Sequence, residues 1–357
     1  ATGALATGLA FLRDSPLHER IGGYLDGLEV TGPLQLQLGL QMPFEAVDEV
    51  VVDGRLQLQQ ATLHWQGEPL EQVQGLLTFS AHGVEARGVQ ARFQGWPMVL
   101  TLETLQGQTR VTAQGPLTAE RLRALVGLPL DWSGLAGAST WRGTLLLTGQ
   151  SGQAPRLEAY SDLQGLALQL PEPLTKPAAH TQELRLLTEL RPGAVWDLRY
   201  GDTLQMRWRL ATSAQPAALA VQWSDHSYSL TRRPSLATPP RLPAQGVRLR
   251  GQWPLLDLNA WLDWLATQPS ATGTAWPWLD ARLRFAQVQV ADQQFANVSI
   301  QTDPAGNWQL QSPDAVLELQ PPAVQVGLSA QVGLSSQPRP WRVRIQRLHL
   351  QAAAPPT

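Results

Sequence analysis

Leucine or valine alternates with glutamine or arginine in short runs along the whole chain. The runs read Leu34-Gln35-Leu36-Gln37-Leu38, Arg55-Leu56-Gln57-Leu58-Gln59, Arg282-Leu283-Arg284-Phe285, Val288-Gln289-Val290, Leu317-Glu318-Leu319-Gln320 and Val343-Arg344-Ile345-Gln346. Successive side chains of a β-strand point to opposite faces, so each run predicts a strand with one apolar and one polar side. Turns containing Gly or Pro separate the runs, among them Val52-Asp53-Gly54-Arg55, Gln106-Gly107-Gln108 and Pro304-Ala305-Gly306-Asn307. Strands joined by such short turns are antiparallel neighbours, so a meander is the expected topology.

Helical spacing is scarce. Ser15-Pro16 precedes Leu17, Ile21, Tyr24 and Leu25 at helical intervals. Thr118 opens a second short helix with Leu122, Leu125 and Val126 on one side and Gly127 as its stop. Asp257 caps a third, in which Leu258, Trp261, Leu262 and Leu265 form a stripe. Three short helices cannot cover so much apolar sheet. The stretch from Arg232 to Pro243 is too rich in proline for a central strand and reads as a linker or long loop. The tail from Ala352 to Thr357 is expected to fray.

Composition narrows the function classes. Apolar residues make up 43% of the 357, near the globular norm, but charged residues only 16%, so the wet side of each strand is polar and weakly charged. The net charge is −2 and no basic block accumulates, which removes the electrostatic footprint of a nucleic-acid binder. There is no cysteine, which excludes disulfides, thiol catalysis and cysteine-bound zinc. The first residues, Ala1-Thr2-Gly3-Ala4-Leu5-Ala6, form neither a signal peptide nor a membrane anchor, and the chain reads as a piece of a longer protein.

Catalytic constellations are thin. His18, His64, His82, His180, His226 and His349 are scattered, with no second histidine at helical spacing, and read as surface or strand-edge residues; no metal site is expected. No nucleophile elbow, Walker loop or dinucleotide fingerprint follows a strand, and Asp225-His226-Ser227 places triad residue types only in sequence. No cofactor is expected. The 14 tryptophans could stack on sugars beside a pair of carboxylates, but many occupy strand positions where a large ring closes the rim of an apolar layer. Trp276-Pro277-Trp278 is the one cluster suited to surface contact. Two coverings of the apolar faces stay open. A second sheet would make a β-sandwich, whereas a curved sheet with an open concave face would need a ligand, and its Leu/Val lining suits acyl chains.

One segment goes beyond pattern. Ser161-Asp162-Leu163-Gln164-Gly165-Leu166-Ala167-Leu168-Gln169-Leu170-Pro171-Glu172-Pro173-Leu174-Thr175-Lys176-Pro177-Ala178 strongly resembles a signature of the YhdP branch of the bacterial AsmA-like (AsmA/TamB) family. Gly23 to Leu34 is similar to that family's helix-to-strand entry, Gly251 to Trp261 to the strand leading into its late helix, and Leu279 to Val298 to its closing strands. The resemblance covers most of residues 15–335 and is to the C-terminal part of such a protein. It implies a non-enzymatic lipid conduit anchored in the inner membrane of a Gram-negative bacterium. A periplasmic β-groove would carry phospholipid toward the outer membrane, with no catalytic residue to carry over.

The expected fold is therefore mainly β: an elongated, strongly curved antiparallel sheet forming an open hydrophobic groove, a β-taco, with a few short helices. The expected segments are 1–117, led by a helix; 118–230, with the second helix and the signature; a linker over 231–246; a groove segment over 247–350; and a disordered tail over 351–357. Groove-lining candidates in the first half are Leu34, Leu36, Leu38, Leu40, Leu56, Leu58, Leu145, Leu147, Leu166, Leu168 and Leu170. Those in the second half are Leu283, Phe285, Val288, Val290, Leu317, Leu319, Val324, Val326, Leu328, Val343 and Ile345. Lys176 is the candidate headgroup contact, against the alternative of a rigid turn with an exposed lysine. The rival functions are a carbohydrate-binding or carbohydrate-active β-sandwich and a cargo-free scaffold for outer-membrane assembly.

Overall fold

The computed structural model describes residues 2–4, 28–41, 51–65, 68–80, 83–105, 108–126, 134–148, 153–172, 174–224, 239–267, 279–303, 305–320 and 342–348. Two compact units emerge: Ala1–Leu122 with Gly137–Leu166 and Ala178–Ala194, and Arg123–Ala136 with Ala167–Pro177 and Val195–Thr357.

In chain order the first strands are β1 (Thr2–Ala4), β2 (Leu28–Thr31), β3 (Pro33–Gln41), β4 (Val51–Trp65), β5 (Glu68–Ser80) and β6 (Gly83–Phe93). There follow β7 (Trp96–Leu105), β8 (Gln108–Thr118), helix α1 (Ala119–Val126), β9 (Leu135–Thr148), β10 (Arg156–Ser161), β11 (Leu166–Leu168) and β12 (Leu184–Glu189). From β3 to β10 each strand pairs antiparallel with the next, and β12 adds to β10. Beyond these, β1 pairs with β3, and β2 with the far end of β4. Gln94 and Gly95, at φ 50 and 80, make the two-residue loop that joins Phe93 to Trp96, since a turn of that hand matches the strand twist.

The alternation slips by one residue at Gln59-Gln60, and the fold absorbs the slip in a bulge. Register shifts fall at Leu58/Ala61 in β4, at Glu71/Gln74 in β5 and at Ala86/Val89 in β6, three consecutive strands. Gln60 and Gln72 take left-handed backbone there, at φ 54 and 51. Each extra residue returns the next apolar side chain to the same face and bends the strand. Leu58, Ala61, Val73, Ala86, Val89 and Ala91 thereby join one buried cluster with Val30, Met98 and Leu100.

The second unit runs β13 (Val195–Tyr200), β14 (Leu204–Arg209), β15 (Ala218–Ser224), β16 (Gly246–Asp257), helix α2 (Leu258–Ala266) and β17 (Leu279–Val290). It ends with β18 (Gln293–Thr302), β19 (Trp308–Gln311), β20 (Ala315–Gln320) and β21 (Arg342–Leu348). Each strand again pairs with the next.

The mainly β class stands, with one correction to the antiparallel meander: β15–β16 and β16–β17 are parallel. Parallel neighbours need a long crossover. The proline-rich stretch supplies the first, and the connection holding α2 the second. Residues 225–238 of the former lie outside the described residues, while Pro240 and Pro243 are buried on the way into β16. Two predicted helices are present. Thr118 Oγ1 accepts the Arg121 N–H at 3.2 Å at the start of α1, and Asp257 Oδ1 accepts that of Ala260 at 3.1 Å at the start of α2. The helix expected from Ser15 lies outside the described residues, as do Trp276, Trp278 and Asp225-His226-Ser227.

Candidate functional site

Cross-strand register lines up the leucine positions. In the first unit one row runs Leu36, Leu56, Leu77, Ala86, Leu102, Val111, Leu145, Leu157 and Thr188, one residue from each of nine neighbouring strands. Except for Ala86 and Thr188 these side chains are half-buried, so the row stays partly open. On one flank of it lie the buried residues of the cluster, Leu58 at 3% exposure among them. Leu38, on the other flank, is 37% exposed. The opposite face carries Gln37, Arg55, Thr78 and Glu85 in one line, and Thr101, Thr112, Thr144 and Glu158 in another.

The second unit repeats the arrangement with more aromatic residues. Its row runs Tyr200, Leu204, Trp223, Gly251, Leu283, Ile300, Leu310, Leu317 and Ile345, again across nine strands. Beside it Trp223 packs on Trp253 at 4.4 Å between ring centroids, and Trp253 stacks on Phe285 at 5.3 Å. Gly251 leaves the room that this requires, since a Cβ there would come within 2.9 Å of Trp223 Cβ. Phe285, Val288 and Val298 are buried at the centre of this cluster. On the polar face Asp280 receives Arg250 Nη2 at 2.6 Å and Arg248 Nε at 3.1 Å.

The candidate residues thus differ widely in exposure. Leu36, Leu56, Leu145, Leu147, Leu283, Val290, Leu317 and Leu319 are half-buried on strands, and Leu38 and Ile345 are exposed. Leu58, Leu166, Leu168, Phe285 and Val288 are buried within the protein, and Leu170 is half-buried outside any strand. Val324, Val326 and Leu328 lie outside the described residues, and Leu34, Leu40 and Val343 are placed by backbone only.

The signature segment is a tightly bonded turn. Ser161 Oγ donates to the Thr140 carbonyl at 2.8 Å and accepts the Leu163 N–H at 3.1 Å, while Asp162 Oδ1 accepts the Gln164 N–H at 3.1 Å. These bonds hold Leu163 in left-handed backbone at φ 51 with its side chain buried. A side chain on Gly165 would collide with the Ala138 carbonyl oxygen, which explains glycine there. Further on, Leu168 and Lys176 exchange backbone hydrogen bonds at 2.9 Å, and Trp261 Nε1 of α2 donates to the Glu172 carbonyl at 3.1 Å. Lys176 is 4% exposed and its ammonium donates to the Pro177 carbonyl at 3.2 Å.

One cluster was not singled out from sequence: Arg121 of α1 with Trp96 and Trp141. Its signal was present, because Arg121 stands four residues before Leu125 and so on the apolar stripe of that helix.

In each unit, then, an unclosed run of paired strands presents apolar rows on one face and polar rows on the other. That defines a class of protein with an extended hydrophobic sheet surface. The family model described as YhdP protein matches residues 1–357, and the chain belongs to the YhdP family. Comparison with curated proteins and with solved structures gives no match.

Proposed function

We propose that the half-buried apolar rows are the acyl-chain surface of a phospholipid conduit, and that the parent protein works between the inner and outer membranes of a Gram-negative bacterium. Membership of the YhdP family supports a role in phospholipid transport. The observation that carries the reading is the row from Leu36 to Leu157, aligned across eight strands and left partly open. A continuous apolar strip left partly open in this way is the kind of surface that a ligand or partner covers. Each methylene laid on it contributes about 0.8 kcal/mol. Because Leu and Val differ little from one strand to the next, a chain can shift along the row without meeting a deep trap. No helix among the described residues is long and apolar enough to cross a membrane. Family membership supports placing this chain in the periplasm.

The carbohydrate reading calls for exposed aromatic platforms. Trp141, Trp223 and Trp253 are instead packed within apolar clusters, which favours the lipid reading. The test is photocrosslinking with a benzophenone residue at Leu36 or Leu145, and at Gln37 on the opposite face. Phospholipid adducts from the first two and none from Gln37 are expected. Absence of adducts at Leu36 and Leu145, or equal labelling from both faces, overturns the reading.

A further inference from the structure

Arg121 is 4% exposed, and none of the ion pairs among the described residues includes it. Its guanidinium carbon lies 5.6 Å from the centre of the Trp96 ring and 5.1 Å from that of Trp141. Its Nη1 is buried without a hydrogen-bond partner, and so is the indole Nε1 of Trp141. The two orphaned donors belong to side chains in direct contact. Opposite Trp141 in the register stands Gly115, where an added Cβ would sit 3.4 Å from that Nε1. The same Cβ would come within 2.7 Å of the Pro97 carbonyl oxygen, so glycine is what lets β7, β8 and the Trp141 ring approach this closely.

Two aromatic faces offset part of the cost of burying a cation, but they leave Nη1 unbonded. A buried guanidinium with no counter-charge among the described residues is one of the least favourable groups a protein can hold. Burial alone shifts its titration, and shifts it down, whereas a nearby carboxylate would hold it up. Trp141 also packs against the apolar cluster of Leu58, Val73, Val89 and Leu100, so the cation borders the hydrophobic face.

We propose that Arg121, Trp96 and Trp141 form a phosphate-binding site for an amphiphile whose acyl chains lie on the adjoining apolar face. This rests on the lipid reading above and adds a polar stop to it. The guanidinium fork matches two phosphate oxygens, Nη1 and the Trp141 Nε1 supply the bonds now unmade, and the rings hold the fork and exclude water. Since the recognised group is the phosphate, the site accepts phospholipids irrespective of what lies beyond it and rejects neutral diacylglycerol.

Binding of three probes to the purified chain tests this: dioctanoyl phosphatidylglycerol, dioctanoylglycerol and inorganic phosphate. The unaltered protein is expected to bind the phospholipid about tenfold more tightly than the diacylglycerol, the scale of one charge-assisted pair. Arg121→Gln should abolish that preference by weakening phospholipid binding about tenfold. Arg121→Met, which keeps the bulk without the charge, should lose the same preference yet raise the Tm of the lipid-free protein. A preference that survives Arg121→Gln, or a Tm lowered by Arg121→Met, overturns the site and leaves the lipid-contact reading standing. Inorganic phosphate bound as tightly as the phospholipid makes free phosphate the ligand and overturns the amphiphile. Failure of both lipids to bind overturns the lipid reading and this site with it.

Discussion

The side-chain amide of Asn259 grips the backbone of Ala291 from both sides. The Ala291 N–H donates to Asn259 Oδ1 at 2.9 Å, and Asn259 Nδ2 donates to the Ala291 carbonyl at 3.3 Å. Ala291 opens the two-residue loop between β17 and β18 in left-handed backbone at φ 50, a conformation costly for a residue with a Cβ. Asn259→Ala should therefore lower stability by about 1–2 kcal/mol through two lost hydrogen bonds. Ala291→Gly should raise it by about 1 kcal/mol. Urea unfolding of the two variants checks both signs.

Burial separates two leucines that alternation treats alike. Leu58→Asp places a carboxylate among Ala61, Val73 and Val89 and should unfold the first unit, because an unpaired buried charge costs several kcal/mol. Leu38→Asp, at a position already open to solvent, should keep the far-ultraviolet circular dichroism of the parent and lose lipid adducts.

Asp280 gives the polar face a pH dependence. Partial burial pushes its carboxyl up, but hydrogen bonds from Arg250 and Arg248, with their charges, outweigh this and hold it below the ordinary carboxylate range. A folded value below the unfolded one means stability that is present above about pH 4 and lost as pH falls through the folded value. Asp280→Asn should cost about 1 kcal/mol at pH 7, the scale of a partly exposed ion pair, and the difference should vanish in acid. Melting curves from pH 2 to pH 8 read it directly.

Tyr200 sits in the apolar row of the second unit, and burial pushes its hydroxyl up to about 12. The folded state favours the neutral phenol, so this contribution is intact below about pH 10 and is lost as pH rises toward 12. Tyrosinate absorbance should show one component rising only near pH 12, absent in Tyr200→Phe.

The signature turn yields a further outcome. Gly165→Ala adds a Cβ against the Ala138 carbonyl oxygen at a backbone φ of 88 and should destabilise by about 2 kcal/mol or more, measured by thermal melting. Ser161→Ala, which removes the bonds to Thr140 and Leu163, should cost about 1–2 kcal/mol.

The strands were legible because alternation is a local property: Leu34 to Leu38 and Arg55 to Gln59 form β3 and β4 side by side, Leu36 facing Leu56. The bulges were visible in principle, since the slip at Gln59-Gln60 stands in the sequence. The parallel pairing of β15, β16 and β17 escaped, although its cause was in view: a long proline-rich connection and a helix between strands are what crossovers require. Which leucines stay open was not legible. Leu38 and Leu58 each follow a glutamine in an alternating run, and what separates them is the strands that flank them. Arg121 was missed for a related reason: an arginine in a short helix reads as solvated until the tryptophans of two other strands are brought against it.

The rows run across the strands, along the direction of the hydrogen bonds, where each strand adds about 4.8 Å. Nine strands set a track of about 38 Å in each unit, longer than the roughly 30 Å hydrocarbon depth of a whole bilayer. An acyl chain spans about half that depth, so on the lipid reading proposed above one unit would have room for lipids in single file. Throughput along such a track would depend on the queue rather than on any one occupant, since a lipid entering at one end would displace its neighbour by a strand without waiting for the far end to empty.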